Sequence, residues 1–199
     1  ALFDPLKDAE ELASDWPIAM AADPHPRKLW AMVWVAIAPN GDWYVVREWP
    51  DQNYPPYWSI RGGKIDGKSP TFDSYADVIR RVEDSLPGGS DRVLWREMDP
   101  NMGMSPAAGS GYDTIMRALG ARGLYFRADV SDNREQGISA VRELVSFNAK
   151  EPVSELNHPR LRVAASCRNV IWSFHNLIHK EWANSDREPR PDVEDAGKD

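Results

Sequence analysis

The stretch Trp16-Pro-Ile-Ala-Met-Ala-Ala-Asp23-Pro-His-Pro26 decides the reading of this chain. An apolar run of strand character delivers one carboxylate, Asp23, into a proline turn, and Pro fixes φ and removes the N–H a central strand would need. Two further strand-like segments follow. Leu29 to Ala38 and Asp42 to Trp49 are rich in β-branched and aromatic residues, and Pro39-Asn40-Gly41 between them is a tight hairpin signal. The pattern predicts three consecutive antiparallel strands with Asp23 at the end of the first, an arrangement able to hold a metal ion.

A fourth strand-like run, Arg92 to Met98, ends in Asp99-Pro100. Taken singly, each Asp-Pro is ordinary turn chemistry, because Asp accepts backbone hydrogen bonds and Pro stops the strand. The order of elements around them gives the pair its interest. Ser74 to Leu86 reads as a helix on the spacing of Tyr75, Val78, Ile79, Val82 and Leu86, closed by Pro87-Gly-Gly. After the flexible stretch Asn101 to Gly111, Tyr112 to Arg122 reads as a short helix and Leu124 to Ala128 as a fifth strand. Arg134 to Phe147 reads as a helix with Ile138, Val141, Leu144 and Val145 on its apolar stripe. Leu161 to Ala165 reads as a last strand running into a helix over Cys167 to Trp182, with Val170, Ile171, Phe174, Leu177 and Ile178 on one face. Beyond Ala183 no final element is evident.

The chain has 199 residues, enough for one α/β domain with a real core. Residues 1–15 read as a lead-in helix or linker, and 16–199 as the domain, with the C-terminus trimmed from a longer polypeptide. Nine tryptophans suit either a filled core or a stacking surface. The single cysteine, Cys167, excludes a disulfide within the chain and a cysteine-based zinc cluster. No apolar run reaches membrane-spanning length and no charged-then-apolar leader is visible, so the expectation is a soluble protein of a reducing compartment. The net charge of −7 and pI near 5.2 count against a stand-alone nucleic-acid binder. Much of the acid lies at the two ends, however, while Arg61, Lys64, Lys68, Arg80 and Arg81 punctuate the middle, and local charge decides such binding. Pro50 to Lys68, dense in Pro, Gly and aromatics, is either a functional loop or a packed surface loop.

The order of these segments resembles the ribonuclease H-like fold, and more narrowly the C-terminal nuclease domain of the large terminase subunit of tailed bacteriophages. The resemblance is carried by Ala21-Ala-Asp-Pro-His-Pro26 with the hairpin ending Val45-Val-Arg-Glu-Trp49, by Met98-Asp-Pro100, by Asn133-Arg-Glu-Gln-Gly-Ile138, and by Leu161-Arg-Val163 with Cys167-Arg-Asn-Val-Ile-Trp172. It implies an α/β fold with a mixed central sheet, three antiparallel strands then alternating strands and helices, flanked by helices. It also implies a divalent-metal-dependent endodeoxyribonuclease that cuts concatemeric viral DNA during genome packaging in the cytoplasm of an infected bacterial host. Asp23 and Asp99 match the first two metal carboxylates of such a site. Lys198-Asp199 matches the start of the segment holding the third, which makes Asp199 that ligand, with Asp192 and Asp195 as alternatives. Implied partners are double-stranded DNA, an N-terminal ATPase domain of the same polypeptide, a portal and a small terminase subunit.

Hard oxygen ligands favour Mg²⁺ or Mn²⁺. Two such ions roughly 4 Å apart activate a water and stabilise the leaving 3′ oxygen of an in-line phosphodiester cleavage. Glu97 shares a strand face with Asp99 by alternation, as an outer base or substitute ligand. Arg61, Lys64 and Lys28 are candidate phosphate contacts. His175 and His179 have zinc-capable spacing on a predicted helix, yet lack an adjacent Glu and a third ligand, so the structural reading outweighs the metal one. Trp172 and Phe174 read as core before base-stacking residues. Arg61-Gly-Gly-Lys64 lacks the spacing of a nucleotide-binding loop. The rival functions are another ribonuclease H-like nuclease, such as a resolvase or transposase core, and a nonenzymatic domain docking on a packaging motor.

Overall fold

Burial alternates along two apolar strands at the centre of the sheet. The computed structural model describes residues 2–3, 15–51, 62–107, 111–128, 133–179 and 193–195. Within it Ile18, Met20 and Ala22 of β2 (Ile18–Asp23) and Met32, Trp34 and Ala36 of β3 (Ala31–Ile37) point inward and are buried, as the period of two requires. β2 and β3 pair antiparallel from Ile18↔Ala36 to Asp23↔Ala31. β4 (Trp43–Trp49) pairs antiparallel with β3, with a bulge between Trp34 and Val35 that shifts register and interrupts the alternation of β4. The predicted hairpin joins them. Gly41 takes φ +84°, Ala38 N–H donates to the Asp42 carbonyl, and the Asn40 side chain accepts from Asp42 N–H.

β5 (Val93–Met98) lies parallel to β2, and β6 (Leu161–Ala164) parallel to β4. The sheet order is β1-β6-β4-β3-β2-β5, where β1 (Leu2–Phe3) pairs parallel with β6. Part of the predicted lead-in is therefore a strand, and residues 4–14 lie outside the described ones. The predicted fifth strand at Leu124 to Ala128 is reduced to one parallel bridge, Glu97↔Arg127, beside β5. Leu124 and Phe126 point into the core there while Tyr125 is exposed.

Helix α1 (Phe72–Asp84) opens on a capping box in which Thr71 and Ser74 satisfy each other's backbone N–H. Its buried stripe, Tyr75, Ala76, Val78, Ile79 and Glu83, covers one face of the sheet. Tyr75 stacks on Trp30 at 4.0 Å and meets Trp49 edge-on at 5.8 Å. Glu83, buried, accepts from Trp34 Nε1 and from the Arg96 guanidinium, tying α1 to β3 and β5. Trp30, Trp34 and Trp49 are thus core residues.

Short helices α2 (Pro100–Gly103) and α3 (Ile115–Gly120) follow β5. In α4 (Arg134–Val145) the predicted stripe is not buried: Leu144 packs on the core, whereas Val141 and Val145 are exposed. The helix predicted to reach Trp182 ends at Asn176 as α5 (Arg168–Asn176). Leu177–His179 forms β7, antiparallel to β8 (Val193–Asp195), so an element does exist beyond Ala183. Cross-strand pairing with a distant segment overrides helical spacing there.

Candidate functional site

Asp23 and Asp99 leave the sheet side by side. β2 and β5 run parallel with Ala22 opposite Met98, and the Asp99 N–H donates to the Ala22 carbonyl at 3.2 Å. Each aspartate is therefore the residue next along from a paired position, at the carboxyl edge of the sheet. Proline ends both strands: Pro24 is fully buried after Asp23, and Pro100 occupies the first turn of α2. Asp23 is exposed and Asp99 partly so. One Asp99 oxygen, Oδ1, accepts the Met102 N–H at 2.9 Å, so Asp99 also serves as the N-cap of α2.

Two carboxylates at adjoining strand ends are a donor set suited to hard divalent cations. Among the described residues no group of three or more His, Cys, Asp or Glu side chains comes together to hold a metal. Asp199 and Asp192 lie outside the described residues, as does the side chain of Asp195 on β8. Glu97 lies on β5 with Arg127 Nη1 4.0 Å from its Oε1. Arg61 is outside the described residues, whereas Lys28 and Lys64 line one groove. His175 is exposed on α5 and His179 lies on β7, so their helical spacing is not realised.

The Gly62-Gly63 pair has a packing role. A Cβ on Gly63 would stand 2.5 Å from Leu29 Cγ, and Gly62 N–H donates to the Arg27 carbonyl. This close approach docks the loop on the segment following Asp23 and sets Lys64 in the same groove as Lys28.

Two features escaped the sequence reading. Glu48 of β4, buried, accepts N–H groups from Asn169 (2.9 Å) and Val170 (2.8 Å) and the Asn169 amide (3.1 Å), pinning the start of α5. Burial pushes its carboxyl above the usual range, with those hydrogen bonds pulling the other way. Its signal was one acid inside an apolar strand. His25, two residues after Asp23, accepts Arg27 and Lys28 N–H groups on Nδ1, which fixes its ring and turns the chain at the site. A local Pro-His-Pro-Arg-Lys sequence was its signal.

Three antiparallel strands, a parallel fourth beside the first, and helices on the sheet define a ribonuclease H-like α/β fold. It is the fold of the large-terminase nuclease domain. The large terminase from a thermophilic bacteriophage, in complex with ADP, matches with TM-score 0.56 and 14% identity over 83% of this chain and 32% of that one. The same terminase with ATP-γ-S matches with TM-score 0.56 and 14% identity over 83% and 33%. The P22 large terminase nuclease domain matches with TM-score 0.52 and 13% identity over 84% of this chain and 71% of that one. The chain spans about a third of the thermophilic phage protein, 32% in the ADP complex. No family model and no curated protein matches the chain.

Proposed function

We propose that this chain is the nuclease part of a DNA-packaging machine, a divalent-metal-dependent endonuclease acting on concatemeric viral DNA in the infected bacterial cytoplasm. The observation that carries the reading is the pairing of Asp23 and Asp99 at one sheet edge through the Asp99 N–H to Ala22 carbonyl bond. Asp23 and Asp99 would hold Mg²⁺ or Mn²⁺, with Asp199 completing the set and Asp192 or Asp195 as its alternatives. Bound metal supplies activation of the attacking water and stabilisation of the leaving 3′ oxygen. The chain's own contribution is positional. Two strands of the rigid sheet fix the carboxylates, and Pro24 and Pro100 hold the chain reversals that expose them. The ATPase domain, the portal and the small terminase subunit would be its working partners.

The test is nicking of supercoiled plasmid with Mn²⁺ or Mg²⁺, beside an EDTA control and Asp23→Ala. Metal-dependent nicking lost in a folded Asp23→Ala variant is the expected result. Wild-type rates from that variant would refute the assignment, and no cutting by the folded wild-type chain under either metal would favour a docking role.

A further inference from the structure

The segments leaving Asp23 and Asp99 both line one groove. His25 to Lys28 follow Asp23, Met102 and Ser105 follow Asp99, and the start of α1 with Lys64 closes the rest around a volume of about 970 Å³. In a chain with 31 acidic against 24 basic residues, this lining reverses the balance. Among the described lining residues the cations are Arg27, Lys28, Lys64 and Arg122, and the carboxylate is Asp73, which Arg122 Nε engages at 2.6 Å.

Among the described residues, the aromatic side chains that line this groove are already committed. Trp30 and Tyr75 are buried and stacked on each other at an interplanar angle of 11°, and Phe72 packs edge-on to Trp30 with the Arg122 guanidinium 5.9 Å from its ring centroid. Their faces offer no platform for a nucleobase. Positive charge without base stacking suits a sugar-phosphate backbone.

We propose that this groove is the track along which a DNA strand reaches the Asp23–Asp99 edge, held through its phosphates by Arg27, Lys28 and Lys64 and independently of base sequence. The inference rests on the nuclease reading and adds to it the route and the mode of substrate binding. Arg122 serves as a positioning residue, since its guanidinium also donates to the Ala118 carbonyl.

The experiment measures affinity of the whole chain for fluorescent duplexes of about 30 base pairs, in EDTA, as a function of KCl. Each phosphate contact contributes about 0.9 to the slope of log K against log salt. Replacing Arg27, Lys28 and Lys64 together by alanine should lower that slope by about 2 to 3 and weaken binding at least roughly tenfold at about 0.1 M salt. Duplexes of unrelated sequence should bind the wild type within about twofold, and circular dichroism should show the variant folded. An unchanged slope in the folded variant would overturn the proposal. So would an equal loss on neutralising Lys150 and Arg168, which do not line the groove, or a tenfold preference for one duplex sequence. Nicking by the wild type with an unchanged slope in the variant would sink the groove alone. Slope loss without any metal-dependent nicking would sink the nuclease reading and leave the groove standing.

Discussion

Replacing Asp99 by asparagine and, separately, by alanine divides its capping role from its proposed ligand role. The carboxylate caps α2 through Met102 N–H at 2.9 Å and stands at the strand end beside Asp23. Asparagine keeps an oxygen able to accept that N–H, and Asn caps helices about as well as Asp, so its cost should be a few tenths of a kcal/mol. Alanine leaves the N–H unmet, and loss of such a cap costs about 0.5–2 kcal/mol. For the cap of the four-residue α2 the typical cost is about 1 kcal/mol. For a chain of this size that lowers Tm by roughly 2–4 °C per kcal/mol. Both variants remove the proposed anionic ligand, so on the nuclease reading metal-dependent nicking should fall by about a hundredfold or more in each, the scale of losing one charge-stabilising group at a reacting centre. Thermal melts and plasmid nicking are run on the same preparations. Asparagine nicking at the wild-type rate would refute the ligand role, and alanine melting with the wild type would refute the cap.

The Asp42–His158 pair gives a pH dependence. His158 Nε2 lies 2.8 Å from the buried Asp42 carboxylate and Nδ1 lies 2.9 Å from the Ser154 carbonyl, so the imidazolium satisfies both acceptors. The Ser154 carbonyl first, and Asp42 second, raise its pKa above the ordinary 6.5. A raised folded pKa means this stabilisation is fully present below about pH 6.5 and is lost as pH rises through the folded value. The Tm advantage of wild type over His158→Gln should shrink between about pH 5.5 and 8.5, and a pH-independent difference would contradict it. Gly63→Ala forces a Cβ to 2.5 Å from Leu29 Cγ, an overpacking that costs about 1–3 kcal/mol. Chemical denaturation should show that loss, and a variant as stable as wild type would show that the loop yields without strain.

Local periodicity carried most of the elements. The β2 strand follows from its apolar run, β3 and β4 from their β-branched and aromatic content, the Pro39-Asn40-Gly41 turn from its residue types, and α1 from the Tyr75, Val78, Ile79 spacing. Asp23-Pro24 and Asp99-Pro100 were legible as strand ends for the same reason, since proline cannot continue a central strand. Helical spacing misled where tertiary partners intervened. The α4 stripe finds a core neighbour mainly at Leu144, and the last helix gives way at Leu177 to pairing with Val193–Asp195. Tertiary structure alone placed Asp23 beside Asp99, because parallel pairing of β2 with β5 joins segments far apart in sequence and leaves no local pattern. The groove has the same origin. Its described cations lie on the turn after Asp23, beside the Gly62-Gly63 pair and just after α3, and the net charge of the chain has the opposite sign. Sequence therefore determined which segments could be strands, helices and turns, since those depend on neighbours a few residues away. Which carboxylates and cations share one surface was decided by long-range packing.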